Sequence, residues 1–501
     1  MKNLNLTLLF LLFSFLQKNI QAQPGTIDPT FNNGVIAFGN LNLPISGATN
    51  VGIQSDGKII SFLGTNTGSH IIRFKTDGTI DTSFGTLQIP FTAITIKIID
   101  NDNFLLGGLN GTIQKFNADG IIDNSFENQD AIDMNIFGLS IQADGKILAA
   151  GNRQNTGTGF DYILARYEPD GSLDLTFGNE GETVVDIVNK DTPYEVYQLS
   201  DGSIIIQGSS LFGASLLGHL IKFKPDGSLD TSFANEGIFQ LDLGIESYSN
   251  SSQELTDGKI LIEGMFNDNG VSTVFLQRLN SDGTIDSTFG NNGNSADPTF
   301  QNGEGFTIPL VSNSAVLQPD GKVLTNGFTW GSLVGGDRGF GVKRYLADGT
   351  VDTDFGNNGL AFASILDVNI IDPWMALDPN GNIIQVAKID KNGAHDIVVV
   401  RYLNDLDVGT LDFENQSNSF LVFPNPIIDY CELKFSIPSE KKITAYLTGV
   451  DGRIIHQFFT NQKFEEGEHQ LSLDMPTLAS GNYFITLVHD KIPFAVQVFK
   501  K

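Results

Sequence analysis

Apolar and polar residues alternate in short runs along most of the chain, and the runs come in sets. The stretch Gly237 to Gly290 shows one set. "GIFQLDL" alternates with the period of a strand, and "SSQELT" reads as a second, shorter one. Asp257-Gly258 then predicts a hairpin turn with positive φ at both central positions. "KILIEGMF" is nearly continuous apolar sequence, as a strand covered on both faces requires. "STVFLQRLN" reads as a fourth strand, and "SDGTIDSTFG" leads to the next set.

The connector recurs. The phenylalanine of D-x-x-F falls at Phe31, Phe84, Phe126, Phe177, Phe233, Phe289 and Phe355, with gaps of 53, 42, 51, 56, 56 and 66 residues. The longest gap contains a second D-x-x-F, Asp297 to Phe300, which reads as a duplicated connector. The hairpin motif recurs as "SDGKII" at Asp56, "ADGKIL" at Asp144, "SDGSII" at Asp201, "TDGKIL" at Asp257, "PDGKVL" at Asp320 and "PNGNII" at Asn380, with a degraded copy in "DNDNFLL" from Asp100. A period near fifty residues demands a repeat architecture. Four antiparallel strands cannot bury both faces alone, but seven such sheets packed around an axis can. The pattern therefore predicts an all-β, seven-bladed β-propeller over residues 23–403.

Each predicted fourth strand ends on a cation: Arg73, Lys115, Arg166, Lys222, Arg278, Arg344 and Arg401. An aromatic follows in all but the Arg278-Leu279 copy. A ring of cations for anions is one reading. The other is scaffold, in which each cation pairs with the connector Asp about eight residues on, as from Arg278 to Asp286, while the Phe wedges between blades. Identity in every unit favours scaffold, because a ligand site needs the units to differ. Phe84, Phe126, Phe177, Phe233, Phe289 and Phe355 are accordingly structural.

Composition adds the address. The chain has 54 glycines, 38 phenylalanines and a formal charge of −28, with a pI near 4.4. Such a surface repels phosphate backbones, which argues against nucleic acid as a partner. Lys2, the apolar run Leu4 to Leu16, and Ala22 form the three parts of a secretory signal peptide over residues 1–22, with cleavage between Ala22 and Gln23. The apolar run is too short to span a membrane, and no later segment is long enough. The single cysteine, Cys431, allows no intrachain disulfide, and "DYCELKF" places it in a buried strand.

The paired motifs "Q-x-D-G-K-I" (Gln54 to Ile59, Gln142 to Ile147) and "R-Y-x-x-D-G-x-x-D-x-x-F-G" (Arg344 to Gly356) resemble the delta-60 repeat family of bacterial exported proteins. That resemblance covers about Gly25 to Tyr402 and implies a propeller-like fold with no particular chemistry. After Tyr402 the rhythm stops, and residues 404–419 read as a polar linker. Residues 420–501 form a new set of strands, predicted to be a small C-terminal β-sandwich. "FPNP" (Phe423 to Pro426), "VDGRII" (Val450 to Ile455), "SGNYFITL" (Ser480 to Leu487) and the basic end resemble the type A C-terminal sorting domain of the type IX secretion system of Bacteroidetes. The resemblance implies passage across the outer membrane. Removal by a surface sortase or surface retention would follow, with the secretion machinery as partner.

No H-E-x-x-H or G-x-S-x-G motif occurs, and "DNDNF" fails as a calcium loop at its third ligand. His70, His219 and His395 fall in different units. No cofactor or metal is predicted. The loops opposite the repeated turns vary, and three read as long: Asn152 to Tyr162, Ser209 to His219 and Phe328 to Gly341. In the last, Trp330, Asp337 and Arg338 are candidates for an aromatic and ionic contact to sugar or peptide. The null for that loop is a flexible segment with Trp330 packed on its blade. The sequence predicts a secreted or cell-surface, non-enzymatic, monomeric binding scaffold for a glycan, peptide or protein. The alternative is a secreted hydrolase of polysaccharide, working with two carboxylates on the variable face.

Overall fold

In the computed structural model the described residues are 23–404 and 421–500. Short stretches at 44–46, 66, 128–131, 158, 189, 214, 244–245, 269–270, 298–299, 302–306, 309, 312–313, 330–337, 366–367, 424–426, 429, 438–439, 450–453, 466, 479–480 and 490–491 are excepted. The predicted signal peptide and most of the predicted linker thus lie outside the described residues. Among those residues the structure is strand and turn, with three single 3-10 turns and no α-helix. The chain divides into two compact units, Met1–Leu317 with Val323–Asn404, and Gln318–Lys322 with Asp405–Lys501.

In the first unit one arrangement repeats. Thr49–Ile53, Ile59–Thr65, Gly68–Phe74 and Leu87–Ile89 are hydrogen-bonded in that order into an antiparallel sheet. Asn135–Ile141, Ile147–Asn155, Gly159–Tyr167 and Glu182–Val185 form another. Asp191–Gln198, Ile204–Phe212, Ser215–Phe223 and Ile238–Gln240 follow, and then Glu246–Glu254, Ile260–Asp268, Val271–Leu279 and Asn294–Asp297. A three-stranded version is Ala93–Ile98, Phe104–Gly108 and Ile113–Phe116. In the next, Ala315–Leu317 pairs with Val323–Thr329, followed by Arg338–Tyr345 and Leu360–Ile365. The last comprises Asn369–Leu377, Ile383–Lys391 and Ala394–Tyr402, and its fourth strand is Ala37–Phe38 from the start of the chain.

The strand bookkeeping differs from the sequence reading. "GIFQLDL" does not open a unit: Ile238–Gln240 pairs back onto Ser215–Phe223 as the outer strand of the preceding sheet. The D-G-x-x-D-x-x-F segment therefore joins the third and fourth strands of one sheet. Periodicity marks a strand but not its partner, which is why the frame slipped by one strand. The hairpin turns differ too. Leu255 N donates to Lys259 O and Gly258 N to Leu255 O, and of the turn residues only Gly258 has positive φ, at 78°. This is a three-residue turn with a left-handed glycine, not the two-residue turn expected of Asp-Gly. The copy without glycine closes with the equivalent bond, Ile99 N to Asn103 O, and it is the one with positive φ at two successive turn residues, Asn101 at 58° and Asp102 at 61°. The loops read as long at Asn152 to Tyr162 and Ser209 to His219 are mostly strand, because pairing continues to Asn155–Gly159 and Phe212–Ser215.

The connectors lock one sheet to the next. Arg73, Lys115, Arg166, Lys222, Arg278 and Arg344 pair with Asp81, Asp123, Asp174, Asp230, Asp286 and Asp352, each eight residues on, at 2.8, 3.1, 2.7, 3.9, 2.7 and 2.8 Å. Arg401, in the last sheet, pairs at 2.7 Å with Asp28 from the N-terminal segment. The guanidinium also lies over the connector phenylalanine, at 4.5 Å for Arg73 over Phe84 and 4.8 Å for Arg401 over Phe31. Burial alone would raise the Asp81 carboxyl, but hydrogen bonds from Ser83 and Arg73 outweigh it and hold the group below the usual range.

The same phenylalanine sits under the next connector. A Cβ on Gly283 would stand 2.9 Å from the Phe233 ring, so only glycine fits there, and its φ is 84°. Gly78, Gly120, Gly171, Gly227 and Gly349 meet Phe31, Phe84, Phe126, Phe177 and Phe289 in the same way, and Gly25 meets Phe355. Backbone bonds repeat the step, from Ala234 N to Asp282 O and from Gly356 N to Pro24 O.

In the second unit, Leu421–Phe423, Tyr430–Ile437 and Gly467–Asp474 form one antiparallel sheet. Ile454–Phe464, Lys441–Gly449, Gly481–His489 and Ile492–Lys500 form another. Both contribute to one apolar cluster that includes Leu433, Phe435, Leu447 and Ile485. Cys431 is wholly buried in it, and burial pushes its thiol up to about 11, which leaves it no nucleophilic role near neutrality.

Phe289 is 2% exposed, and Phe289→Ala is expected to destabilise the chain by about 3–5 kcal/mol in a denaturant melt. Thr284 is exposed and its side chain bonds only within its own turn, to Asp282 and Asn280, so Thr284→Ala is expected to cost under about 0.5 kcal/mol. Equal small effects would show that the connector is not a wedge. Arg344 is wholly buried against Asp352, so Arg344→Met is expected to cost about 3–5 kcal/mol through the carboxylate left behind.

Candidate functional site

The first strand of each repeating sheet touches the first strand of its neighbours. Thr49–Ile53 meets Ala93–Ile98, which meets Asn135–Ile141, and the series continues through Asp191–Gln198, Glu246–Glu254, Ala315–Leu317 and Asn369–Leu377 back to Thr49–Ile53. Their edges enclose a cavity of about 450 Å³ to which every one of these strands contributes. It is the concavity from which the repeats differ, since the inner strands carry unlike residues at like positions.

The positions can be matched through the turns. Gln54, Ile99, Gln142, Leu199, Leu255, Gln318 and Asp378 each donate backbone N–H to the carbonyl four residues on. Two residues before each of these stand Gly52, Lys97, Ser140, Tyr197, Gln253, Val316 and Ala376. Four residues before stand Asn50, Thr95, Gly138, Glu195, Ser251, Ser314 and Trp374. One cation, one carboxylate and one tryptophan thus occur in otherwise small or neutral rings.

A β-bulge sets the aim of these side chains. Pairing skips Phe137, Tyr194 and Asn250 in their strands. Phe137 and Tyr194 both line the cavity. Opposite the bulge the second strand carries glycine: a Cβ on Gly208 would stand 2.4 Å from the Thr192 carbonyl oxygen. The motif I-x-G that supplies it, in "IQG" (Ile206 to Gly208) and "IEG" (Ile262 to Gly264), was the sequence signal for the bulge.

Glu195 accepts two hydrogen bonds on Oε2, from Ser252 N and Ser251 Oγ, both at 3.2 Å. Burial pushes its carboxyl up to about 7; these two bonds and the Lys97 charge pull the other way. The Lys97 side chain is reached by solvent but closely walled by protein. That enclosure lowers its pKa, and the charge of Glu195 opposes the shift. Glu254, the other carboxylate of the cavity wall, is engaged: Ser200 N and Ser200 Oγ both donate to it at 2.7 Å. Ser55 holds Asp102 with the same pair of bonds, so this is an inter-sheet clip and not a reactive acid. Tyr197 OH donates to Ser252 Oγ at 3.0 Å.

Trp330 and Asp337 lie outside the described residues, as does the side chain of Arg338, whose backbone opens Arg338–Tyr345. Ala22 also lies outside them. Gln23 donates from Nε2 to Gly356 O at 2.6 Å. Phe84, Phe126, Phe177, Phe233, Phe289 and Phe355 are buried in the connectors, away from the cavity wall. His70, His219 and His395 are in three different sheets, and burial holds His219 down at about 4.

The family model described as the domain of unknown function DUF5122 beta-propeller matches residues 54–84, 142–177, 199–233, 255–289 and 318–355. The secretion system C-terminal sorting domain matches residues 421–499. No curated protein matches. Among solved structures, the chain is similar to PorZ, a bacterial surface component of the type IX secretion system of Porphyromonas gingivalis, at 11% identity and a TM-score of 0.41. That match covers 92% of this chain and 60% of PorZ, so the chain spans under two thirds of that protein. The Dos1 propeller matches at 11% identity and a TM-score of 0.40, over 72% of this chain and 93% of that one. YCF48 bound to D1 peptide matches at 14% identity and a TM-score of 0.34, over 69% and 92%.

The raised carboxyl of Glu195 has a consequence for stability. Between its ordinary value of 4.5 and about 7 the folded chain holds this proton more tightly than the unfolded chain. The stability it contributes is complete below about pH 4.5 and is lost as pH rises through about 7. Glu195→Gln is therefore expected to melt like the parent at pH 4 and above it at pH 8. Parallel melting curves for the two chains across that range would place the Glu195 titration elsewhere.

Proposed function

We propose that this chain, a β-propeller protein of DUF5122 repeats exported through the type IX secretion system by its C-terminal sorting domain, works outside the cell as a non-enzymatic binding protein. The propeller is seven-bladed, spans residues 23–403 and acts as a monomer. Residues 1–22 are its signal peptide, 404–419 its linker and 420–501 a sorting β-sandwich. The closed series of inner-strand contacts and the last lock, between Arg401 and Asp28, support the seven blades. The bond from Gln23 to Gly356 supports a mature chain that begins there. Two sheets around one core support the sandwich.

The observation that carries the binding reading is the axial cavity. Its scaffold is uniform, but its lining has one cation with no ion pair among the described residues, one half-buried carboxyl with a raised pKa, and aromatic rings. Concave sites with a few placed polar groups are where ligands bind. The ligand is a glycan, peptide or protein, taken there or by Trp330, Asp337 and Arg338. A hydrolase with two carboxylates needs a partner for Glu195. Glu254 is poorly suited, since Ser200 engages both of its oxygens.

Two measurements test this. A glycan and peptide array probed with the full chain is expected to give a ligand without turnover; release of products would replace the reading with the hydrolase. Deleting residues 420–501 is expected to hold the chain in the periplasm, judged by fractionation beside the full chain. Normal levels of the deleted form outside the cell would overturn the assigned export role.

A further inference from the structure

The cavity holds two opposite charges that do not meet. Lys97 stands on Ala93–Ile98 and Glu195 on Asp191–Gln198, with Asn135–Ile141 between them. That strand lines the cavity with Phe137, Gly138, Leu139 and Ser140, and carries no charged residue there. A Cβ on Gly138 would stand 3.1 Å from Val196 N and 3.2 Å from the Glu195 backbone, so the close approach of the two strands depends on glycine.

Neither end is satisfied. Lys97 feels Glu195 through space, but no ion pair or hydrogen bond engages its ammonium among the described residues. Both hydrogen bonds to Glu195 fall on Oε2, and among the described residues none donates to Oε1. An ammonium that reaches solvent and a half-buried carboxyl, on strands that do not pair with each other, are both accessible from the cavity. A ligand that carries both complementary charges would satisfy both ends at once.

We infer that the axial cavity binds a small zwitterion, whose carboxylate pairs with Lys97 and whose ammonium pairs with Glu195 Oε1. The ligand class is an amino acid or a molecule of similar size with both charges. A volume of about 450 Å³ lies within the ~300–1,000 Å³ usual for small-molecule sites. Trp374, on the same wall, offers an apolar face to the rest of the molecule. The inference rests on the reading of the chain as a binding protein and specifies what its cavity takes.

A ruler series tests it by isothermal titration of the full chain. The probes are glycine, 3-aminopropanoate, 4-aminobutanoate and 6-aminohexanoate, with propionate and propylamine as single-charge controls. One member is expected to bind at least about tenfold more tightly than either control, as a second charged hydrogen bond provides. In Lys97→Gln that member is expected to fall to the affinity of propylamine, and in Glu195→Gln to that of propionate. Melting curves establish that both variants are folded. If one is not, the ruler preference and the other variant decide. No heat from any zwitterion, or binding that survives both substitutions, overturns the inference. An array hit on a glycan or peptide together with a silent ruler series sinks this inference alone and leaves the binding reading in place.

Discussion

Each four-stranded sheet in this chain has two apolar faces and no means of covering either by itself, so everything depends on fixing one sheet against the next. The group that does so is a cation, a carboxylate and a phenylalanine on a single connector. Arg73 pairs with Asp81, covers Phe84, and donates from Nη1 to the Ala118 carbonyl of the following connector at 2.6 Å. Phe84 in turn lies under Gly120 of that connector. The ion pair is nearly sealed from solvent, at 5% and 4% exposure, so it is screened little by salt and is costly to break. Where lysine replaces arginine the lock is looser: Lys222 stands 3.9 Å from Asp230 and 5.7 Å from the Phe233 centroid.

A series of identical locks still needs a last partner. The first connector motif, Asp28 to Phe31, has no preceding strand among the described residues. It is completed by Arg401, 373 residues away, while Ala37–Phe38 supplies the fourth strand of the final sheet. Both ends of the repeating region are thereby held in one sheet, which protects an edge that would otherwise be open to pairing with other chains.

The same uniformity separates scaffold from function. The connectors and turns are alike in every unit, and their carboxylates are consumed by local bonds such as Ser83 to Asp81 and Thr288 to Asp286. The inner strands are where the units diverge. There the bulge at Tyr194 and its counterparts turns side chains into the cavity, and there, among the described residues, neither Lys97 nor Glu195 is held in an ion pair. A binding site on such a frame changes by substitution at these positions without disturbing the locks.

The sequence by itself determined the repeat, the all-β character, the pairing of six of the seven cations with an Asp eight residues on, and the sorting tail. These depend on residues close together in the chain, or on copies of one motif compared with each other. It misassigned the outer strands and the turn type, because periodicity reports a strand without its partner and Asp-Gly fits two turns that differ by one residue. It looked for a site in the variable loops and passed over Lys97 and Glu195. Neither stands in a motif, and 98 residues separate them. Only the tertiary structure brings them to one cavity, because closure of the sheets into a cycle sets inner strands distant in sequence around a common space. Gly138 shows the difference most plainly. In the sequence it is one glycine of 54; in the fold it is the place where a side chain would keep Glu195 from its position.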